Sequence, residues 1–261
     1  MKGYKIPIFQ RGNLLTQEML DALKCYMTEM SAAMYADYSD GILSGMDIRV
    51  SEGNLTIGKG LIKYQDTLIV VAEETVLPVN QNNTVQVVKI VIADKEIGAE
   101  FETIDIKIVV DYDTAKKANE IEICRMRAQE GAKLRCEYTT YEDMATEFDT
   151  VNLIYADWSA YKSKGIHPEI LEQFAKEARK CARKEMIDSC FLQQIYGMSQ
   201  PTCRRQLLTL YLEERLGNCQ QEYTNEEIYK NLGRVLRMMK TGTPIRRMMR
   251  ETRELRTMVV N

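Results

Sequence analysis

Residues 41–71, GILSGMDIRVSEGNLTIGKGLIKYQDTLIVV, decide the fold class of this 261-residue chain. Apolar and polar residues alternate here, first around Ile48 and Val50 and then around Leu55 and Ile57. Alternation with a period of two predicts strands, and the turn residues SEGN between the two runs predict a hairpin. The stretch therefore predicts an antiparallel β domain.

Residues 53–60, GNLTIGKG, match the first seven positions of the phosphate-binding pattern GxxxxGK[ST] and fail at the eighth, which is Gly60. That motif works when a strand leads into the loop and a helix follows it. Here the alternating pattern puts a strand inside the loop, and another β run follows. We interpret Gly58 and Gly60 as positions of a bulge or of tight backbone approach in a bent strand. A nucleotide-dependent enzyme that uses Lys59 is the less favoured alternative.

Further runs rich in β-branched residues continue the pattern downstream. They lie at 68–72, 85–93, 103–110 and 120–128. Their spacing and the polar turns between them predict an antiparallel sheet or a small sandwich.

Helical periodicity flanks this β region on both sides. At the N-terminal side, Thr16 is placed to cap a helix that reaches Tyr35. Its apolar residues recur at helical spacing, so the helix is amphipathic, and we expect it to pack on the β domain. They are Met19, Leu20, Leu23, Met27, Met30 and Met34.

On the C-terminal side, His167 and Pro168 open a helical region whose apolar stripe extends from Ile170 to Ile195. A second helix is predicted to end at Gly217. Thr224 and Glu227 match a capping box for a third helix.

These signals together predict an α+β protein. We divide it into an N-terminal helical segment (1–38), an antiparallel β-sandwich-like domain (39–137), a connector (138–166) and a helical C-terminal domain with a basic tail helix (167–261). The connector carries the only tryptophan, Trp158, and we expect it to dock one half on the other.

Composition excludes several classes of protein. A net charge of −3 argues against a chain whose overall field attracts nucleic acid or acidic lipid. Seven cysteines without a CxxC pair argue against a disulfide framework or a zinc site. No apolar run is long enough to cross a bilayer, so we expect no membrane insertion.

We predict no catalytic residue, metal site or cofactor. The sole histidine, His167, fits a helix cap better than a nucleophilic pair. The carboxylates between the β runs suit a solvated face better than a metal site. They are Asp94, Glu96, Glu100, Glu102, Asp105, Asp111 and Asp113.

The C-terminus is the strongest electrostatic feature, with nine basic residues against two acidic ones between positions 230 and 256. We interpret it as a helix that docks on an acidic partner surface. The alternative is nucleic-acid binding, because such a stripe can also neutralise phosphates. The candidate partner- or anion-binding residues are Arg234, Arg237, Arg246, Arg247, Arg250 and Arg253.

Residues 41–71 resemble a pattern common in tail-fibre and baseplate-associated proteins of bacteriophages and related tail-like particles. In that pattern, glycines turn short β-hairpins. Here those glycines would be Gly41, Gly45, Gly53, Gly58 and Gly60. Residues 120–134, EIEICRMRAQEGAKL, look like the closing strand of such domains, so the resemblance covers about a third of the chain.

The resemblance implies a structural or assembly component of a phage tail, baseplate or tail-like particle. Its partners would be other tail or baseplate subunits and further copies of itself. It would be made in the host cytoplasm and incorporated into the virion or particle. Prophage proteins of this appearance in Gram-positive bacteria are sometimes labelled helicases. Residues 53–60 would account for that label, and the sequence contains no second motor motif.

Overall fold

The computed structural model describes residues 5–197, 203–217 and 222–242. The described residues form helices and antiparallel sheets joined by turns and loops. This confirms the predicted α+β class. The first element is helix α1, Gln17–Tyr35, and the side chain of Thr16 caps it by accepting from the Met19 amide at 3.3 Å. None of the helices in the described ranges is long and apolar enough to cross a membrane.

Six short strands follow α1 and form two three-stranded sheets. They are β1 (Gly41–Gly45), β2 (Ile48–Ser51), β3 (Asn54–Ile57), β4 (Gly60–Tyr64), β5 (Thr67–Val71) and β6 (Thr75–Pro78). One sheet has the order β1-β4-β5 and the other β2-β3-β6, with antiparallel pairs throughout. The predicted turn joins β2 to β3, with Glu52 and Gly53 both at positive φ (51° and 78°). A two-residue turn with both residues at positive φ matches the twist of the two strands that it joins.

A third sheet has the order β10-β7-β11 and is also antiparallel. Its strands are β7 (Gln86–Ile92), β10 (Ile106–Asp111) and β11 (Glu120–Met126), and a small hairpin of β8 (Glu96–Ile97) and β9 (Glu102–Thr103) lies between β7 and β10. The register of β11 shifts between Glu122 and Cys124. Residues on both faces of β11 are buried in the core that the three sheets share.

Lys89 lies at the centre of the third sheet with its side chain 1% exposed. Its Nζ is 2.9 Å from Asp111 Oδ2, 3.2 Å from Glu120 Oε2 and 2.7 Å from the Ala115 carbonyl oxygen. Burial alone would lower the pKa of Lys89, but the two carboxylates outweigh it and raise that pKa. The charge is therefore held inside the sheet by ligands from both neighbouring strands.

The segment predicted as a connector is part of the core. It contains a 3₁₀ turn (Glu142–Ala145) and the two-residue strands β12 (Ser159–Ala160) and β13 (Ser163–Lys164). Its backbone bonds to the β domain on two sides: the Asp157 amide donates to the Glu122 carbonyl, and the Ile42 amide donates to the Asp157 carbonyl, both at 2.8 Å. Trp158 is 4% exposed, as expected for a segment that docks one half on the other.

Four helices complete the described chain: α2 (Pro168–Lys180), α3 (Met186–Gly197), α4 (Arg205–Leu216) and α5 (Asn225–Thr241). The end of α4 at Gly217 and the capping box of Thr224 with Glu227 are both as predicted. The stripe that was expected to run on through Met186 is interrupted, because the chain leaves the helix at Cys181 and Met186 is exposed. The rings of Phe174, Phe191 and Tyr211 form the centre of the helical core.

His167 caps α2, as predicted, with its Nδ1 accepting from the Glu169 amide at 3.2 Å. Its ring packs edge-on against Trp158, 5.0 Å between centroids. Burial lowers the pKa of His167 to about 3, because the imidazolium would lose its hydration there.

We expect this histidine to make folding pH-dependent. A folded-state pKa below the unfolded value gives stability that is complete above about pH 6.5 and is lost as the pH falls, since only the unfolded chain then takes up the proton. Between pH 7 and 5 the free energy of unfolding should fall by about 1–2 kcal/mol. The lower end of this range applies because His167 is half-buried and keeps some contact with water. Urea unfolding at each pH measures this fall.

The matched control is His167→Asn, whose side-chain oxygen can replace Nδ1 as the capping acceptor and which does not titrate. Because the chain has one histidine, this variant should lose the slope between pH 7 and 5. An unchanged slope would assign the pH dependence to other groups.

Candidate interaction surface

Three of the glycines that the sequence singled out, Gly45, Gly58 and Gly60, lie where the two small sheets approach each other, whereas Gly41 approaches the connector and Gly53 lies at the β2–β3 turn. Gly41 and Gly45 have positive φ angles (141° and 71°), and Gly45 pairs with Gly60 across β1 and β4. A Cβ at Gly60 would lie 2.7 Å from the Ser44 carbonyl oxygen, and one at Gly58 3.2 Å from that of Asp47. Tight backbone approach therefore explains both glycines.

The predicted bulge lies elsewhere. The register of β1 against β4 shifts between Ile42 and Ser44, so the irregularity is in β1 and not at Gly58 or Gly60. Residues 53–60 form a turn, strand β3, a two-residue link and the start of β4, with Lys59 exposed. This segment lacks the helix that a phosphate-binding loop requires.

Two of the six candidate arginines lie in the described chain. Arg234 and Arg237 are exposed on α5, and neither has a carboxylate partner within the described ranges. The lysines of the same helix are neutralised: Lys230 pairs with Glu226 at 2.5 Å and Lys240 with Glu177 at 2.6 Å. Arg246, Arg247, Arg250 and Arg253 lie outside the described residues, so their role stays a prediction.

A cleft of about 1180 Å³ lies between β11, the connector and the first turns of α4 and α5. Four of its charged side chains pair with one another: Glu122 with Arg125 at 2.5 Å, and Asp157 with Lys116 at 2.5 Å. Burial raises the pKa of Glu122 against the opposing effect of Arg125. These four side chains therefore already have partners within the fold.

Arg205 lies on one side of this cleft, and within the described chain all the hydrogen bonds of its guanidinium go to carbonyl oxygens. Its guanidinium donates to the backbone oxygens of Lys164 (3.0 Å), Gly165 (3.3 Å) and Tyr223 and to the side-chain oxygen of Asn225. Burial lowers the pKa of Arg205. The residue fastens the connector to the starts of α4 and α5, which is a structural role.

The predicted carboxylate face is mostly solvated. Glu102 pairs with Lys95 at 2.7 Å on the surface, whereas Asp111 turns to the buried Lys89. Within the described ranges no group of three histidine, cysteine, aspartate or glutamate side chains is placed to hold a metal ion.

Helix α1 is the largest feature that departs from expectation. It lies beside β5, yet none of its nineteen residues is buried. The helix therefore contacts the β domain, as predicted, without burying its apolar side chains there. Its exposed apolar residues are Leu20 (50%), Leu23 (36%), Met27 (66%), Met30 (46%) and Met34 (61%).

A second apolar projection is the tip of the β8–β9 hairpin. Ile97 and Phe101 there are 76% and 71% exposed. Lys95 lowers the pKa of Glu102 in this hairpin, and Lys24 of α1 adds a smaller effect. Exposed apolar surface of this kind is typical of a protein–protein contact. The helix and the hairpin tip, 17–35 and 96–103, are called the N-terminal surface below.

Sequence reasoning missed this surface. A helix with an apolar stripe is normally assigned to the core of its own chain, because burial there is the commonest outcome. The available signal was the narrowness of the stripe, with intervals of three and four residues.

No family model and no curated protein matches the chain. Among solved structures it is similar to a crystal structure of TssK, with 11% identity and a TM-score of 0.39, covering 92% of this chain and 69% of that one. It is similar to a TssK–TssF–TssG baseplate subcomplex of the type VI secretion system, with 8% identity and a TM-score of 0.42, covering 91% and 99%. A baseplate complex from the same kind of system gives 10% identity and a TM-score of 0.38, covering 93% and 71%. All three likenesses are weak and define no family for the chain.

Proposed function

We propose that this protein is a non-enzymatic structural subunit of a phage tail, baseplate or phage-tail-like particle. It is made in the host cytoplasm and incorporated into the particle through protein–protein contacts. The observation that carries the proposal is the N-terminal surface, where a capped, regular helix exposes five of the six residues of its apolar stripe. The resemblance of the glycine pattern in residues 41–71 to tail and baseplate proteins indicates which kind of particle it is.

The physical argument starts from solvation. Exposed apolar side chains cost about 25 cal/mol for each Å² that stays in water, so a contiguous set is normally covered. Here the covering atoms do not come from the described part of the chain. A capped helix whose apolar face has no partner within the fold is suited to meet one in an assembly.

In this proposal, the basic helix α5 forms a second contact with another protein of the particle. The pairing of Lys230 and Lys240 with carboxylates leaves Arg234 and Arg237 as its free cations within the described residues. Two isolated guanidinium groups suit ion pairs with an acidic protein surface. Their replacement by alanine, with binding measured over a salt series, separates this from nucleic-acid binding.

The test uses particles isolated from the producing bacterium by density gradient, with the subunit quantified by mass spectrometry. The subunit should be present at fixed stoichiometry, and the double variant Ile97→Asp with Phe101→Asp should lower its incorporation at least about tenfold, since two charges would enter an apolar contact. Both residues are exposed, so the variant should fold normally.

Tyr196→Asp is the control, because Tyr196 is also largely exposed (59%) but lies on α3. It should be incorporated like the wild type. Absence of the wild-type protein from purified particles would contradict the proposal, and so would equal loss of both variants.

A further inference from the structure

The stripe on α1 has the spacing of a coiled-coil seam. Leu20, Leu23, Met27, Met30 and Met34 follow one another at intervals of three, four, three and four residues, the a and d positions of a heptad. A helix that packs on a globular core normally presents a wider face than this. All five seam residues are at least 36% exposed.

The flanks of the seam are nearly uncharged. With Leu20 at position a, the e positions are Gln17, Lys24 and Ser31 and the g positions are Met19, Tyr26 and Ala33. The acidic residues Glu18, Asp21 and Glu29 fall at f, b and c, away from the seam. Charges at the e and g positions of a coiled coil set the choice of partner helix. Here the only charged residue at these positions is Lys24. An equivalent helix meets this seam without like-charge repulsion.

We infer that α1 forms a parallel coiled coil with α1 of other copies of this chain. The inference rests on the proposed assembly role and names a second copy as the partner of the N-terminal surface. In the parallel arrangement each apolar layer meets itself, Leu20 on Leu20 and Met27 on Met27. At the flanks, Met19 lies beside Lys24 of the neighbouring copy and Tyr26 beside its Ser31.

The length of α1 defines what else is needed. Nineteen residues give fewer than three heptads, which is too short for isolated helices to associate well in water. The folded body supplies the rest, since its hairpin tip adds the exposed apolar side chains of Ile97 and Phe101. Methionine at three of the five seam positions lets the packing adjust to that geometry.

The test measures the oligomeric state of the full chain by light scattering across a dilution series. The wild type should self-associate, and Met27→Glu should weaken association roughly 100-fold by placing a charge in the seam. Glu29→Lys changes a charge on the opposite side of the same helix and should leave association intact. Helical content and thermal unfolding confirm that both variants fold. A monomeric wild type, or equal association of wild type and Met27→Glu, would overturn the inference.

Cysteine cross-linking tests the orientation. In a Cys25→Ser background, Met30→Cys lies at a d position and should form a disulfide between copies on mild oxidation. Thr28→Cys lies at a b position and should not. Cross-linking through residue 28 and not through 30 would overturn the parallel seam. Particle incorporation is scored separately, so a monomer found in particles removes this inference alone, and an oligomer absent from particles removes the proposed function alone.

Discussion

Lys89→Ala should lower the free energy of unfolding by about 3–5 kcal/mol, because it breaks a buried ion pair. The variant leaves Asp111 and Glu120 facing each other at the centre of a sheet without the cation that neutralises them. Glu120 is the costlier of the two, because its side chain is only 5% exposed. Urea unfolding followed by circular dichroism measures the loss.

The pH dependence identifies the cause. The pKa values of Asp111 and Glu120 are lowered in the fold: backbone amides are the largest contribution for each, and Lys89 adds to it. Carboxylates with lowered pKa stabilise the fold above their unfolded pKa, and that stability is lost as the pH falls below about 4.5. In Lys89→Ala part of this acid sensitivity should disappear. The control is Lys107→Ala, an exposed lysine of the neighbouring strand, which should change stability by less than about 0.5 kcal/mol.

Gly45→Asn should lower the free energy of unfolding by roughly 2–6 kcal/mol, combining backbone strain with a steric clash. A Cβ at this position would meet the Lys59 carbonyl oxygen far inside contact distance and the Gly60 Cα at 2.8 Å. Backbone atoms of a paired strand cannot move aside as a side chain can. Separation of β1 from β4 would also expose Ile42 and Ile62 of the core.

Gly53→Asn is the matched control. Gly53 has a similar positive φ (78° against 71°), but a Cβ there meets nothing within 4 Å. Asparagine tolerates this conformation in a hairpin turn, so the cost should stay below about 1 kcal/mol. Similar losses at both positions would mean that strain alone, without the clash, determines the effect at Gly45.

The sequence predicted the elements whose signals are local. Thr16 caps α1, residues 51–54 turn a hairpin and Thr224 with Glu227 caps α5, because each depends on residues within a few positions of one another. The glycines of the 53–60 segment were also interpreted as close-approach positions from the strand pattern around them.

The features that sequence reasoning missed depend on contacts between distant residues. Lys89 lies in an apolar run of the sequence. Its burial is tolerable because it pairs with Asp111 and Glu120, which are 22 and 31 residues away along the chain. The apolar stripe of α1 was visible, but whether the chain covers it depends on where the helix lies. The connector looked irregular in sequence because its partners in β1 and β11 lie more than 30 residues away.

The attachment of the connector sets the order in which a nascent chain can complete its β domain. The Ser39 amide donates to the Ala160 carbonyl at 3.1 Å, and the Ile42 amide donates to Asp157, so strand β1 receives its outer neighbour from more than a hundred residues later. During translation, the edge of β1 stays uncovered until that later segment has left the ribosome. The early intermediate therefore carries an open strand edge, the kind of surface on which chaperones act and through which newly made copies aggregate.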